Sequence, residues 1–134
     1  METKLPGFSS VTKAPRGGEY SVYDNTITVI HTRSHDLRIS SAAYRALGQT
    51  DGIELLENAN EFALVGRKWE SGNDVIFRVS RTGGTSQAHR INPLTWVSKN
   101  LPLGGVFVGR VVGPNTVIFS KKAQSIIPFN KSDK

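Results

Sequence analysis

Two segments of the chain carry the same order of secondary-structure signals, and this order constrains the fold more than any other feature of the sequence. In the first segment, alternating apolar and polar residues end at Ile27-Thr28-Val29-Ile30 and are followed by the extended piece Leu37-Arg38-Ile39. The run SAAYRAL then predicts a helix, with N-caps offered by Ser40-Ser41 and Gly48 just past its end. Apolar residues on both sides of a polar turn predict a hairpin over 53–65.

The second segment repeats this order with different residues. A strand is predicted over 75–79, and His89-Arg90-Ile91 corresponds to Leu37-Arg38-Ile39. Asn92-Pro93 predicts a helix start, with Asn92 as N-cap and Pro93 at the first helical position of LTWVSKNL. Two further strands flank the turn Gly113-Pro114-Asn115. The sequence therefore predicts a mainly β fold with two short helices, built from two copies of a βαββ unit.

The predicted copies divide the chain into four parts. A unit of about 45 residues buries too little apolar surface to fold alone, so we expect the two copies to share one barrel-shaped core. Residues 1–18 hold two prolines, three glycines and three basic residues without apolar periodicity, which is typical of a flexible basic arm. The first unit is predicted over 19–68, the second over 69–122, and a polar tail over 123–134.

Positive charge is concentrated in the second half of the chain. Residues 1–68 hold eight basic and eight acidic residues, whereas residues 69–134 hold nine basic and three acidic ones, so the net charge of +6 comes from the second half. A one-sided excess of this kind favours a polyanionic partner, because neutralised phosphates release their condensed counterions. Surplus lysines that only increase solubility are the alternative.

Several classes of protein are excluded by composition. The chain has no cysteine, which excludes a disulfide scaffold, thiol catalysis and a cysteine-based zinc finger. Its longest apolar runs are only a few residues, too short for a transmembrane helix, and the first residues lack the apolar stretch of a secretory signal. We therefore expect a cytoplasmic protein without membrane contact.

Four short pieces follow one another in the first unit, namely Arg38-Ile39-Ser40, Ala46-Leu47-Gly48, Asp51-Gly52 and the hairpin over 53–65. In these pieces the unit resembles the AbrB/SpoVT-like swapped-hairpin family of bacterial transition-state regulators. Two such units in one chain are similar to the tandem arrangement of the MraZ family. The stretch ISSAAYRALG, followed by ELL, is also similar to small bacterial and phage proteins without an assigned activity. The resemblance implies a swapped-hairpin barrel that regulates transcription by binding DNA.

Basic residues near the extended turn and the helix start would contact DNA if this resemblance holds. Arginine suits this role because its planar guanidinium bonds phosphates and guanine edges in bidentate fashion. For Arg38 and Arg90, which occupy equivalent positions of the two units, structural ion pairs are the alternative. The predicted nucleic-acid-binding residues are Arg33, Arg38, Arg45, Arg78, Arg81, His89, Arg90 and Lys99.

No pattern in the sequence indicates catalysis, a metal or a cofactor. His31 and His35 are four residues apart, which suits a metal on a helix, but their surroundings predict strand and loop, so hydrogen-bonded or exposed histidines are expected. The segment Gly83-Gly84-Thr85-Ser86 lacks the order of a nucleotide-binding loop and is predicted to be a turn. No nucleophile elbow and no carboxylate pair in an apolar cleft is evident.

Two functions remain open at this point. The first is a non-enzymatic regulator of swapped-hairpin type that docks basic loops on double-stranded DNA. The alternative is a small phage or mobile-element protein that binds and inhibits a host protein, with the barrel as scaffold. The sequence leaves a homo-oligomer open in either case.

Overall fold

A computed structural model describes residues 22–81 and 89–128 of the protein. Within these ranges the chain forms ten strands and two short helices, which confirms the predicted class of a mainly β fold. The predicted arm over 1–18, the turn 83–86 and the end of the polar tail lie outside the described residues. The strands are β1 (Thr28–His31), β2 (Leu37–Ile39), β3 (Gly52–Glu57), β4 (Glu61–Arg67), β5 (Ile76–Arg78), β6 (Ser80–Arg81), β7 (His89–Ile91), β8 (Gly105–Gly113), β9 (Thr116–Ser120) and β10 (Ser125–Ile126), and the helices are α1 (Ser41–Ala46) and α2 (Leu94–Asn100).

All ten strands form one sheet that curls into a nearly closed barrel. Their order is β5-β3-β4-β9-β8-β1-β2-β7-β6, with β10 added to β8 beside this path. The two end strands, β5 and β6, are separated in the chain only by Val79. The backbone N–H of Val79 donates to the carbonyl oxygen of Asp51 at 2.9 Å. The sheet edges are therefore joined by the chain itself, which leaves little edge for unwanted pairing.

Each predicted unit places its hairpin against strands of the other unit. The β3–β4 hairpin pairs with β5 on one side and β9 on the other, and the β8–β9 hairpin pairs with β1 and β4. Strands β2 and β7 also pair with each other, so the two units are interlocked rather than adjacent. The duplication of the sequence itself stays a prediction.

The core of the barrel is built around three phenylalanines. Phe62 stacks on Phe119, with ring centroids 5.0 Å apart, and meets the edge of Phe107 at 5.7 Å. Each helix adds two buried residues, Ala43 and Leu47 from α1 and its C-cap, and Val97 and Leu101 from α2 and its C-cap. Trp96 of α2 is partly buried and packs edge-on against Phe62, with ring centroids 5.5 Å apart.

The start of α1 confirms the predicted serine cap. The Ser40 hydroxyl oxygen accepts from the N–H of Ala43 at 3.0 Å and of Thr28 at 3.1 Å, and donates to the carbonyl oxygen of Thr26 at 2.5 Å. Gly48 has a φ of +83°, as expected for a residue that ends a helix.

The predicted cap of α2 was wrong. Pro93 rather than Asn92 occupies the N-cap position, and no side chain caps this helix. Pro93 has ψ of 63°, outside the helical range, and its carbonyl oxygen accepts the first helical bond from Val97 at 2.9 Å. The helix therefore begins one residue later than predicted. A proline is tolerated at this position because the N–H that it lacks would be unpaired at a helix start.

Strand lengths differ from the predictions at three places. The strand predicted to end at Ile30 begins only at Thr28 and extends to His31, because residues 22–23 form a short 3₁₀ turn and residues 24–27 form turns and bends. The single strand expected over 75–79 is divided into β5 and β6, which pair with β3 and β7 respectively. The strand predicted before the turn at 113–115 is the long strand β8, which extends into the turn as far as Gly113 and has an irregularity in its pairing between Val111 and Gly113.

Candidate nucleic-acid interface

A cleft of about 400 Å³ lies between α1 and the strands β6 and β7. It joins the two predicted units, since α1 belongs to the first and both strands to the second. Two arginines and a histidine line it, and no carboxylate of residues 22–81 or 89–128 does. The lining residues are Ser41, Tyr44, Arg45, Gln49, Arg81 and His89.

Two stacked aromatic rings form one wall of the cleft. The rings of Tyr44 and His89 lie nearly parallel, at 14°, with centroids 3.8 Å apart. The Tyr44 hydroxyl donates to the carbonyl oxygen of Thr50 at 2.8 Å, which holds the ring from its far end. His89 is positioned from the other side by the sheet, because it pairs with Ile39 in the β2–β7 ladder. The helix and the sheet therefore fix the two rings against each other.

The environment of His89 disfavours its charged form. Burial lowers the pKa of His89 below its ordinary value of 6.5, and the positive charges of Arg81 and Arg38 lower it further. Its Nδ1 atom is buried and has no hydrogen-bond partner among residues 22–81 and 89–128. The ring is therefore a neutral, incompletely bonded group beside two cations.

Arg45 and Arg81 supply the positive charge at the mouth of the cleft. Both residues are exposed, Arg45 at the end of α1 and Arg81 at the end of β6. Arg81 also affects Tyr44. Burial raises the pKa of Tyr44 above its ordinary value, the positive charge of Arg81 lowers it in part, and the negative charge of Asp51 raises it. An anion in the cleft would meet a cation from each unit.

Arg38 and Arg90 form the ion pairs that the sequence left open. Arg38 donates to both carboxylate oxygens of Asp24 at 2.9 and 3.3 Å, and its side chain is 3% exposed. Arg90 donates to both oxygens of Asp36 at 3.2 and 3.4 Å. The two arginines lie directly opposite each other in the β2–β7 pair, a position where like charges repel. Each carboxylate offsets this repulsion, which gives both arginines a structural role.

The other predicted contacts are placed away from the cleft lining. Arg33 is exposed in the turn between β1 and β2, and Lys99 is exposed on α2. The guanidinium of Arg78 lies over the ring of Trp69, 4.7 Å from its centroid. Of the eight predicted residues, the structure gathers Arg45, Arg81 and His89 around one cleft.

The sequence missed the other half of the cleft lining. Tyr44 was predicted only as part of the first helix, and nothing in the sequence connected it with His89, which lies 45 residues further along the chain. Gln49 enters the cleft because α1 ends in two successive residues with positive φ, Gly48 at +83° and Gln49 at +54°. Gly48 was the sequence signal for this turn. It correctly predicted where the helix ends, but it did not predict that the side chain of Gln49 would point into the cleft.

His31 and His35 form a hydrogen-bonded pair. Nδ1 of His31 lies 3.1 Å from the carbonyl oxygens of both Leu101 and Pro102, and its Nε2 lies 3.0 Å from Nδ1 of His35. Since carbonyl oxygens only accept, His31 carries its proton on Nδ1. In the part of the chain that the structure describes, no group of three or more His, Cys, Asp or Glu side chains could hold a metal ion.

Comparisons of the chain with protein-family models, with curated proteins and with solved structures find no match. The swapped-hairpin resemblance therefore stays a prediction. Neither helix within residues 22–81 and 89–128 has the length and apolar character needed to cross a bilayer.

Proposed function

We propose that this protein binds double-stranded DNA through the cleft between α1 and β6–β7, and that it acts in the cytoplasm as a non-enzymatic regulator of swapped-hairpin type. The observation that carries this proposal is the convergence of Arg45, Arg81 and His89, from both units, on a cleft that no carboxylate of the described residues lines. Arginines from two elements give two points of attachment to a phosphate backbone.

The charge of the chain supports a polyanionic partner. The excess of +6 comes from residues 69–134, which also supply Arg81 and His89. Binding through phosphates releases counterions, so the affinity should fall steeply with salt. Contacts of this kind position a protein on DNA without reading its sequence, so selectivity would come in part from DNA shape.

The strand pairing supports the swapped-hairpin part of the proposal. In the first unit β1 pairs with β2 and with β8, and in the second unit β6 pairs with β7 while β5 pairs with β3. Strands at equivalent places of the two units pair with each other, as β2 does with β7 and β4 with β9. Two interlocked βαββ units would produce this pattern.

The test is a titration of a fluorescent duplex of about 20 base pairs, followed by anisotropy at several salt concentrations. We expect the affinity of the unmodified protein to fall steeply as salt rises. In the double variant Arg45→Ala/Arg81→Ala, the slope of log affinity against log salt should shrink by about 2, since each phosphate contact contributes about 0.9.

A charge-matched control separates the cleft from net charge. Arg67 and Arg110 are exposed on β4 and β8, where they pair with Glu54 at 3.0 Å and Glu61 at 3.5 Å. The double variant Arg67→Ala/Arg110→Ala removes the same charge and should bind DNA nearly as well as the unmodified protein. Absence of binding at low salt, or equal weakening by both double variants, would contradict the proposal.

One observation favours the alternative, inhibition of a host protein by a phage or mobile-element protein. Leu56, Ala63 and Ile118 lie opposite one another on neighbouring strands, on the sheet face away from Phe62 and Phe119. Leu56 is 45% exposed, and these residues line a small depression of about 140 Å³. Such an apolar row suits a protein partner. Capture of one stoichiometric protein that resists nuclease and is lost in Leu56→Glu would favour this function.

A further inference from the structure

The Tyr44–His89 stack limits the kind of ligand that the cleft can accept. Each ring covers one face of the other at 3.8 Å, so a nucleobase cannot insert between them. The Tyr44 hydroxyl already donates to Thr50. The other polar side chains that line the cleft are Arg45, Arg81, Ser41 and Gln49. The two guanidinium groups only donate and are positively charged, and the hydroxyl and the amide can donate as well. Such a set of groups suits an oxyanion.

We infer that the cleft binds a phosphodiester group and that this binding adds a proton to His89. The inference rests on the proposed function only in taking the phosphodiester to be part of a DNA backbone. Binding of the group by the cleft can be measured separately.

The charges around His89 explain why a proton would accompany the phosphate. Without a ligand, burial and two cations keep the ring neutral. A phosphodiester placed against Arg45 and Arg81 brings a negative charge that offsets this repulsion, and its oxygens can accept from a protonated ring. The charged and titratable groups that face His89 from the described elements packed around the cleft are Arg38, Tyr44, Arg45 and Arg81, with Asp51 acting on Tyr44.

Linkage fixes the direction of the effect. Because phosphate favours protonated His89, protonation must favour phosphate binding to the same extent. The affinity should then increase as the pH falls through the range in which His89 titrates in the complex. Each unit by which the pKa of His89 rises on binding corresponds to about tenfold tighter binding at low pH than at high pH.

Nuclear magnetic resonance of the three histidines tests the inference directly, with the dinucleotide TpT as the probe. TpT carries one phosphodiester, which does not titrate near neutral pH. The ring signals of His89, His31 and His35 are followed against pH with and without excess TpT. We expect the midpoint of His89 to rise by about one unit with TpT, while those of His31 and His35 stay in place and serve as internal controls.

A second measurement uses duplex DNA and matched variants. The unmodified protein should bind the duplex about tenfold more tightly at about pH 5.5 than at about pH 8. His89→Asn should bind equally at both values, whereas His35→Asn, which changes a histidine outside the cleft, should keep the gain. Circular dichroism at each pH shows whether every variant is folded, and the TpT titration of the unmodified protein needs no variant.

The outcomes separate this inference from the proposed function. If the duplex binds but TpT leaves the midpoint of His89 unchanged, the inference is overturned and DNA binding stands. If TpT raises the midpoint but the duplex does not bind at low salt, the phosphodiester site stands and the proposed function fails. If neither ligand has an effect, both fail.

Discussion

His31 shows how one side chain can connect three parts of the barrel. It lies at the end of β1, is 1% exposed, and reaches the carbonyl oxygens of Leu101 and Pro102 after α2 as well as the ring of His35. Burial lowers the pKa of His31 below its ordinary value of 6.5, and this effect outweighs the two carbonyl oxygens, which favour the charged form. The folded protein therefore prefers the neutral ring.

This preference predicts a loss of stability in acid. The unfolded chain takes up a proton at His31 near pH 6.5, while the folded chain resists it until a lower pH. The contribution of His31 is therefore fully present above about pH 7 and is lost progressively as the pH falls through about 6.5 toward the folded pKa. Urea unfolding at several pH values should show a falling free energy of unfolding over this window, where carboxylates of ordinary pKa do not titrate.

A variant assigns the acid effect to this ring. His31→Gln should be less stable than the unmodified protein at about pH 8, because it loses hydrogen bonds of the ring, but its stability should depend less on pH. The pKa of His89 is lowered as well, so the variant His89→Asn measures how much this second histidine contributes to the pH dependence of the free energy of unfolding. An unchanged pH dependence in His31→Gln would contradict the assignment.

At the scale of elements, Gly66 holds α1 against the barrel. A Cβ atom at Gly66 would collide with the carbonyl oxygen of Leu47, the C-cap of α1, and would come within 2.9 Å of the Thr50 hydroxyl. The Gly66 N–H donates to the carbonyl oxygen of Asn115 at 2.8 Å, which ties the same position to the β8–β9 turn. The missing side chain therefore permits the close approach of helix and sheet.

Gly66→Ala should lower the free energy of unfolding by about 2–4 kcal/mol, because backbone rather than a flexible side chain must move. Gly113→Ala is the matched control, since a Cβ there has no atom within 4 Å. It should change stability by no more than about 0.5 kcal/mol. Urea unfolding monitored by circular dichroism measures both. Similar losses in the two variants would show that the contact with Leu47 is not the cause.

The elements that the sequence predicted well are those set by local interactions. The Ser40 cap, the end of α1 at Gly48 and the hairpin over 53–65 depend on residues a few positions apart. The division of the strand over 75–79 into β5 and β6 could not be predicted in this way. Its cause is barrel closure, which requires β5 to pair with β3 of the other unit and β6 to pair with β7 of its own unit.

The same distinction holds for the cleft. Charge and resemblance selected Arg45, Arg81 and His89, because a basic residue type can be recognised without knowing its neighbours. The ion pairs of Arg38 and Arg90 could be stated only as an alternative, since their partners are fixed by the folded barrel. The contact of Tyr44 with His89 likewise depends on how α1 packs against β7, which no local pattern encodes.

At the scale of the whole molecule, the pairing of each hairpin with the other unit makes the two halves interdependent. Without residues 69–134, the β3–β4 hairpin loses β5 and β9, and β1 loses β8. Without residues 1–68, the β8–β9 hairpin loses β1 and β4. Each half alone would also expose its share of the core around Phe62, Phe107 and Phe119. A half that loses these strands and core residues buries too little apolar surface to form a stable core by itself.

We therefore predict that neither half, residues 1–68 or 69–134, folds as a monomer, and that mixing the two in equal amounts restores the folded barrel. Circular dichroism and the dispersion of backbone amide signals, compared with those of the intact chain, measure this recovery. A monomeric half with a dispersed spectrum would contradict the interlocked arrangement. A folded dimer of one half would not, because a second copy of the same unit could supply the missing strands, as expected if the two units are copies of one βαββ module.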